Sequence, residues 1–150
     1  MIIVVQRVSS AEVQVGAEVI GKIGEGLLVL LGIEQGDGEP EVALLVRKLL
    51  ALRLFPGRTP MDRSLKDIQG QCLVVSQFTL LGNIHKGNRP SFERAADPVL
   101  AEALYERFVQ QLRAEQVPTA TGKFAADMRV RLENNGPVTF TLEARAGRLL

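Results

Sequence analysis

The sequence is poor in the side chains that most often carry enzyme chemistry. It holds one cysteine (Cys72), one histidine (His85), one tyrosine (Tyr105) and no tryptophan. A lone cysteine forms no intrachain disulfide and no cysteine-based zinc site. A lone histidine excludes most His-rich metal constellations. No carboxylate cluster stands out either, so neither a metal nor any other cofactor is expected. A Ser-His-Asp arrangement would have to use His85, which sits in a Gly-rich loop, and no G-x-S-x-G elbow is present. Cys72 precedes Leu-Val-Val in an apolar run without an activating base, so it reads as a small buried hydrophobe. Walker and Rossmann glycine loops are missing. "GKIGEG" (Gly21 to Gly26) lies between strand-like segments, and no helix follows it.

Long apolar runs and charge of one sign are also lacking. Nothing approaches 18 apolar residues, and "MIIVVQRVSS" has no basic region ahead of an apolar stretch. The expectation is a soluble, cytoplasmic chain with no membrane partner. Eighteen Lys and Arg face 17 Asp and Glu, a net charge of +1. That argues against wrapping a long duplex, so no DNA partner is expected, while a short single-stranded end stays compatible. What is abundant is apolar material, 46% of 150 residues, enough for one domain over 1–150 with an unstapled core.

Alternation and β-branched residues predict strands over Ile2 to Val8, Ala11 to Val15 and Glu18 to Ile23, divided by "SS" and "GA" turns. "LLVLLGI" (Leu27 to Ile33) suits a strand covered on both faces. Glu41 to Leu52 spaces Val42, Leu45, Val46, Leu49 and Leu50 as an amphipathic helix. A Pro- and Gly-punctuated stretch with a short strand follows from Arg53, then a strand from Gln71 to about Gln77. "GNIHKGNRPSFERAADP" reads as a long basic loop, with a short helix starting at Pro90. Pro98 opens a second helix, Val99 to Ala114, in which Leu100, Leu104, Phe108 and Leu112 recur every four residues. Met128 to Glu133 and Val138 to Glu143 read as two strands joined by "NNGP". The expected fold is α/β: a single β-rich domain, a barrel-like mixed sheet with two main helices packed on it.

Two local features interrupt this pattern. In "CLVVSQFTLLG" (Cys72 to Gly82) a core strand runs into Ser76, Gln77 and Thr79, and a buried polar group without a partner costs roughly 1–3 kcal/mol. Strand alternation would put Ser76 and Phe78 on one side, with Gln77 and Thr79 on the other. Either these hydroxyls satisfy neighbouring backbone, or the strand runs out into a ligand site. "NNGPVTF" places Gly136-Pro137 between strands, either as a plain β-turn or as exposed backbone available to a ligand.

Together with their surroundings these motifs resemble the D-aminoacyl-tRNA deacylases. "SQFTL" (Ser76 to Leu80), "KGNRPSF" (Lys86 to Phe92), "LYERFV" (Leu104 to Val109), "TGKFAADM" (Thr121 to Met128) and "NNGPVT" (Asn134 to Thr139) fall in that family's order and spacing. "MIIVVQRVSSAEVQV" and "GLLVLLGI" match as well, so the resemblance runs from Met1 to about Glu143. It implies a homodimer with active sites at the interface. Its substrate would be the aminoacylated 3′ end of tRNA, and its reaction the hydrolysis of a D-aminoacyl ester. Ser76, Gln77, Phe78 and Thr79 would line the reaction centre, with backbone N–H groups holding the oxyanion. Gly136 and Pro137 would form a Gly-cisPro motif, inserted from the partner subunit, whose carbonyl oxygens collide with an L-residue's Cβ substituent. Glycine, with nothing to collide, would be partly accepted.

The same resemblance implies that Arg7 supports the Gly-Pro loop, where a solvated charge on an edge strand is the plainer alternative. Phe124 and Met128 would wall the adenosine pocket, with ordinary core packing as their alternative. Lys86 and Arg89, and less directly Arg94, would meet tRNA phosphates. Thr79 lacks a base, so attack by water assisted by the terminal 2′-hydroxyl is the expected chemistry. The loop before Pro-Ser-Phe, with Asn88, is less basic than the family's usual form. The tail "ARAGRLL" (Ala144 to Leu150) receives no role. Rival functions are a trans Gly-Pro editing branch acting on mischarged L-aminoacyl-tRNA, and a non-catalytic nucleic-acid binder.

Overall fold

A computed structural model describes residues 1–85 and 87–150; the expected phosphate contact at Lys86 lies outside the described residues. The chain runs β1 (Ile2–Val15), β2 (Glu18–Ile23), β3 (Gly26–Gly32), α1 (Glu39–Ala51), β4 (Arg53–Phe55) and β5 (Arg63–Ser64). It continues through β6 (Gln71–Ser76), α2 (Pro98–Ala114), β7 (Thr119–Thr121), β8 (Arg129–Arg145) and β9 (Arg148–Leu149). The main sheet has seven strands in the order β7-β6-β3-β1-β8-β9, with β2 also paired to β1. β3, β6 and β7 run parallel and the other neighbours antiparallel, which gives the mixed α/β sheet expected.

The continuous apolar runs have a direct cause. In β6, Cys72 and Val74 face a core under the two helices, shared with Ile3, Val5, Val29, Leu45 and Phe108. Leu73 and Val75 face a second core, with Val8, Ala11, Val13, Ile23 and Leu28, inside the curl of the sheet. Strands covered on both faces cannot alternate with polar residues. Each helix turns its apolar stripe inward: Val42, Leu45, Val46 and Leu49 on α1, and Leu104, Tyr105, Phe108, Val109 and Leu112 on α2. Asp97 caps α2 by accepting from the N–H groups of Val99 and Leu100 (3.1 Å each).

Four sequence expectations fail for physical reasons. "SS" is not a turn, because β1 runs unbroken through Ser9 and Ser10 as a 14-residue strand. Its inward side switches from Ile3 and Val5 to Ala11 and Val13 across two register shifts against β8, at Gln6/Val8 and Val8/Ser10, so irregular pairing accommodates the change of face. Likewise "NNGP" does not join two strands, since β8 is one strand of 17 residues. Val8 pairs with Asn134 and Gln6 with Thr139, so Asn135, Gly136, Pro137 and Val138 all stand opposite Arg7 as a bulge. The Gly136–Pro137 peptide there is cis. No helix starts at Pro90; instead Asn83 and Ser91 exchange backbone hydrogen bonds (2.7 and 3.0 Å). Finally, alternation does not continue past Ser76, because Phe78–Leu81 coil into a 3-10 turn.

The last seven residues are anchored. Ala146 and Gly147 both take positive φ (49° and 70°), the tight turn that matches strand twist, and return the chain as β9. Ala144 is fully buried, and its N–H donates to the Met1 carbonyl (2.9 Å). The Gly147 N–H reaches Glu41 Oε1 (2.6 Å). The buried Met1 amine donates to Asp37 Oδ1 (2.7 Å) and the Ala144 carbonyl (2.9 Å). No helix among the described residues is long and apolar enough to cross a membrane.

Candidate active site

The parallel pairing of β6 with β3 sets the site. Leu31 lies beside Ser76, and the Gln77 N–H still donates to the Leu31 carbonyl (2.8 Å), one last rung of the ladder. Beyond it the chain turns sharply: Leu80 N–H returns to the Gln77 carbonyl (3.3 Å) and Gly82 N–H to that of Thr79 (3.0 Å). The N–H groups of Phe78 and Thr79, at the start of this turn, find no acceptor among the described residues. Such free amides are the kind of donor that stabilises developing negative charge on a substrate oxygen.

Next to them opens a cavity of about 500 Å³, lined by Ser76, Gln77 and Phe78 on one side and by Phe124 and Met128 on another. Ala95 and Ala96 form part of its wall. Phe124 is half-buried, with its ring 6.1 Å from that of Tyr105 at 48°, so it packs on the core while fronting the cavity. Phe78 is exposed and meets Phe92 edge-on at 4.9 Å. The Tyr105 hydroxyl donates to the Val74 carbonyl (2.9 Å), fixing α2 to β6 directly behind the site.

The cavity wall is held from outside by charge. The Ala96 N–H donates to the Ile33 carbonyl and the Gln35 N–H to the Arg94 carbonyl, 2.9 Å each. Glu34, buried beneath, accepts from Arg94 Nε (2.8 Å) and from Arg145 Nη2 (3.1 Å). Burial pushes the Glu34 carboxyl up, but the hydrogen bonds and charges of the two arginines outweigh it and hold the group below its ordinary value. Arg94 is therefore engaged within the fold. Arg89 is exposed, and no carboxylate among the described residues pairs with it.

Thus Ser76, Gln77, Phe78, Phe124 and Met128 come together around one cavity. Thr79 does not line it: the side chain is exposed, and its hydroxyl accepts from Gln77 Nε2. Gly136, Pro137 and Arg7 are elsewhere in the chain. The register runs from the bulge to Arg7, Leu27 and Cys72, and Ser76 lies four residues further along β6. At ~3.3 Å per residue and ~4.8 Å per strand, the bulge and Ser76 are on the order of 20 Å apart. Arg7 itself is buried rather than solvated. Its Nε donates to the Asn135 carbonyl (2.7 Å) and its Nη1 to the Leu54 carbonyl (2.6 Å). Sequence reading overlooked Glu34 and Tyr105, whose roles depend on partners 60 and 31 residues away. Among the described residues no group of three His, Cys, Asp or Glu side chains is arranged to hold a metal ion.

The fold and site define a β-rich mixed α/β domain whose core strand ends, among the described residues, in amides without acceptors beside a cavity. The family model described as "D-Tyr-tRNA(Tyr) deacylase" matches residues 4–143. Proteins named D-aminoacyl-tRNA deacylase are 55% identical in Pelobacter propionicus, over 93% of this chain and 97% of theirs, and 50% identical in Geobacter sulfurreducens, over 95% of both. The chain belongs to the D-aminoacyl-tRNA deacylase family of hydrolases. Among solved structures, one described as "c-Myc DNA Unwinding Element Binding Protein" superposes with a TM-score of 0.91 at 44% identity, covering 97% of this chain and all of that one. A probable eukaryotic D-amino acid tRNA deacylase, 19% identical, shares the fold with a TM-score of 0.79, over 93% of this chain and 97% of its own.

Proposed function

We propose that the chain hydrolyses the ester between a D-amino acid and the terminal adenosine of tRNA. The observation that carries the reading is the junction of Ser76–Thr79 with the cavity: N–H groups of Phe78 and Thr79 with no acceptor among the described residues, beside a space that Phe124 and Met128 help to line. The adenine stacks on Phe124, and the ester carbonyl sits against the amides. Water attacks, with the terminal 2′-hydroxyl assisting, and the protein supplies position and charge stabilisation rather than a nucleophile. Among the described residues the hydroxyl of Thr79 is engaged by the Gln77 amide rather than by a base, which supports this division of labour.

The active unit is a homodimer in which Gly136 and Pro137 of one subunit wall the other's cavity. The separation of about 20 Å within one subunit supports this, since the motif cannot reach its own Ser76. The outer edge of β8 supports it too. Among the described residues β9 pairs only with Ala144 and Arg145, leaving a long strand edge with exposed Leu132 and Phe140. Main-chain oxygens at the bulge then exclude the side chain of an L-residue, while D-residues of any size, and partly glycine, are admitted.

Purified protein should release D-tyrosine from D-tyrosyl-tRNA at least a hundredfold faster than L-tyrosine from its counterpart, and should sediment as a dimer. Faster cleavage of the L-ester would instead indicate editing of mischarged L-aminoacyl-tRNA. A second reading, DNA binding, is favoured by the description of the 44%-identical structure alone. Tight, salt-sensitive binding of duplex DNA without ester hydrolysis would establish it.

A further inference from the structure

Beyond Phe124 lies a second cavity, of about 400 Å³, between α2 and β7. One wall is a stripe of α2: Glu102, Glu106, Gln110 and Arg113, spaced by four, four and three residues and therefore on one helix face. Opposite them are Thr121 and Gly122, with Tyr105 as the floor. Arg113 is oriented by its hydrogen bond to the Thr119 carbonyl (3.0 Å). The side chains of Glu102, Glu106 and Gln110 are exposed and take no hydrogen-bond partner among the described residues. The two cavities are neighbours: Ala101 lines the first and Glu102 the second, and Phe124 belongs to both.

The inference rests on the deacylase reading, in which the first cavity holds the terminal adenosine. Every mature tRNA presents a cytidine immediately before that adenosine, so the strand leaving the first cavity always offers the same base. We propose that the second cavity receives this penultimate cytidine. Its exocyclic amino group donates to Glu102 or Glu106, while Gln110 and Arg113 donate to its O2 and N3 acceptors. Carboxylates accept well from cytosine N4, and single-stranded bases are read along this edge. The two carboxylates also repel phosphate, so the base rather than the backbone enters. Phe124 then separates two consecutive bases, one on each side. Because the cytidine is common to all tRNAs, such a contact adds affinity without narrowing the range of tRNAs served.

The test uses three small esters: D-tyrosyl-adenosine and the D-tyrosyl esters of the dinucleotides CpA and UpA. Wild-type kcat/KM should be roughly tenfold or more higher for CpA than for adenosine or UpA. In the E102A/E106A double variant the ratio of CpA to adenosine should fall toward one. The cavity assignment is overturned if the wild-type ratio is near one, if UpA equals CpA, or if the variant loses both substrates equally with the ratio intact. No turnover of D-tyrosyl-adenosine or of D-tyrosyl-tRNA would overturn the deacylase reading, and this assignment with it. Turnover without a cytidine gain overturns the assignment alone.

Discussion

Arg7 and Asn135, 128 residues apart, are joined by a 2.7 Å hydrogen bond from the guanidinium Nε to the main-chain carbonyl. The same guanidinium reaches Leu54 on β4, so a single buried cation fastens the β8 bulge to a separate small sheet. Removing it leaves two carbonyls short of a charged donor. Arg7→Ala should lose about 2–4 kcal/mol of stability, at roughly 1.5–3 kcal/mol per charge-assisted bond with partial recovery by water. Arg7→Lys should restore only part of this, because an ammonium cannot reproduce the forked geometry. Denaturant midpoints measure the stability, and on the proposed reading the D-over-L ratio should shrink in both variants.

Gly136 makes a sharper test of the bulge. Its φ is +141°, a region that L side chains rarely adopt, and a Cβ there would lie 2.7 Å from Arg7 Nη2 and 3.0 Å from the Val138 N. Gly136→Ala must therefore move Arg7 or the backbone. If the bulge discriminates between enantiomers in the partner's cavity, D-ester turnover should survive better than discrimination does. Equal loss of both, with the D-over-L ratio kept, would count against that role.

Much of this was legible in the sequence, and the failures at β1 and β8 share one cause. Both helices and the strands at Glu18, Leu27 and Gln71 follow from apolar spacing, which depends on neighbours within a few residues. The motif "SQFT" is visible because its polar residues break an apolar run. The β1 and β8 bulges are not visible, because a register shift is a property of two strands more than a hundred residues apart. "SS" and "NNGP" carry the composition of turns, and only cross-strand pairing keeps each within a continuous strand. The docking of Ala95 and Ala96 against Ile33 by way of Glu34 is equally non-local.

Two buried acids set an alkaline limit on stability. Burial pushes the Cys72 thiol up from 9.0 to about 12, and burial, ahead of smaller opposing contributions, pushes the Tyr105 phenol up from 10.0 to about 12. In each case the unfolded chain gives up its proton first. The stability these groups contribute is complete below pH 9 and is lost progressively between pH 9 and about pH 12. Denaturant midpoints measured across that window should fall. Cys72→Ala should flatten the fall nearest pH 9, and the native thiol should resist alkylating reagents at neutral pH.

On the proposed reading, Thr79 and Phe124 should respond differently to substitution. Thr79 lies outside the cavity, and among the described residues its hydroxyl is engaged only by a hydrogen bond from the Gln77 amide. Thr79→Ala should therefore keep kcat within about tenfold of wild type, far from the 10³-fold or larger loss expected of a nucleophile. Phe124 fronts the cavity with its ring. Phe124→Ala should raise KM for D-tyrosyl-tRNA by roughly 5- to 100-fold, the equivalent of about 1–3 kcal/mol of lost base stacking, with kcat less affected. Steady-state kinetics on both variants separate the alternatives. A Thr79→Ala enzyme that binds substrate normally yet turns over nothing would place the nucleophile on the protein. An unaltered KM in Phe124→Ala would move the adenosine out of this cavity.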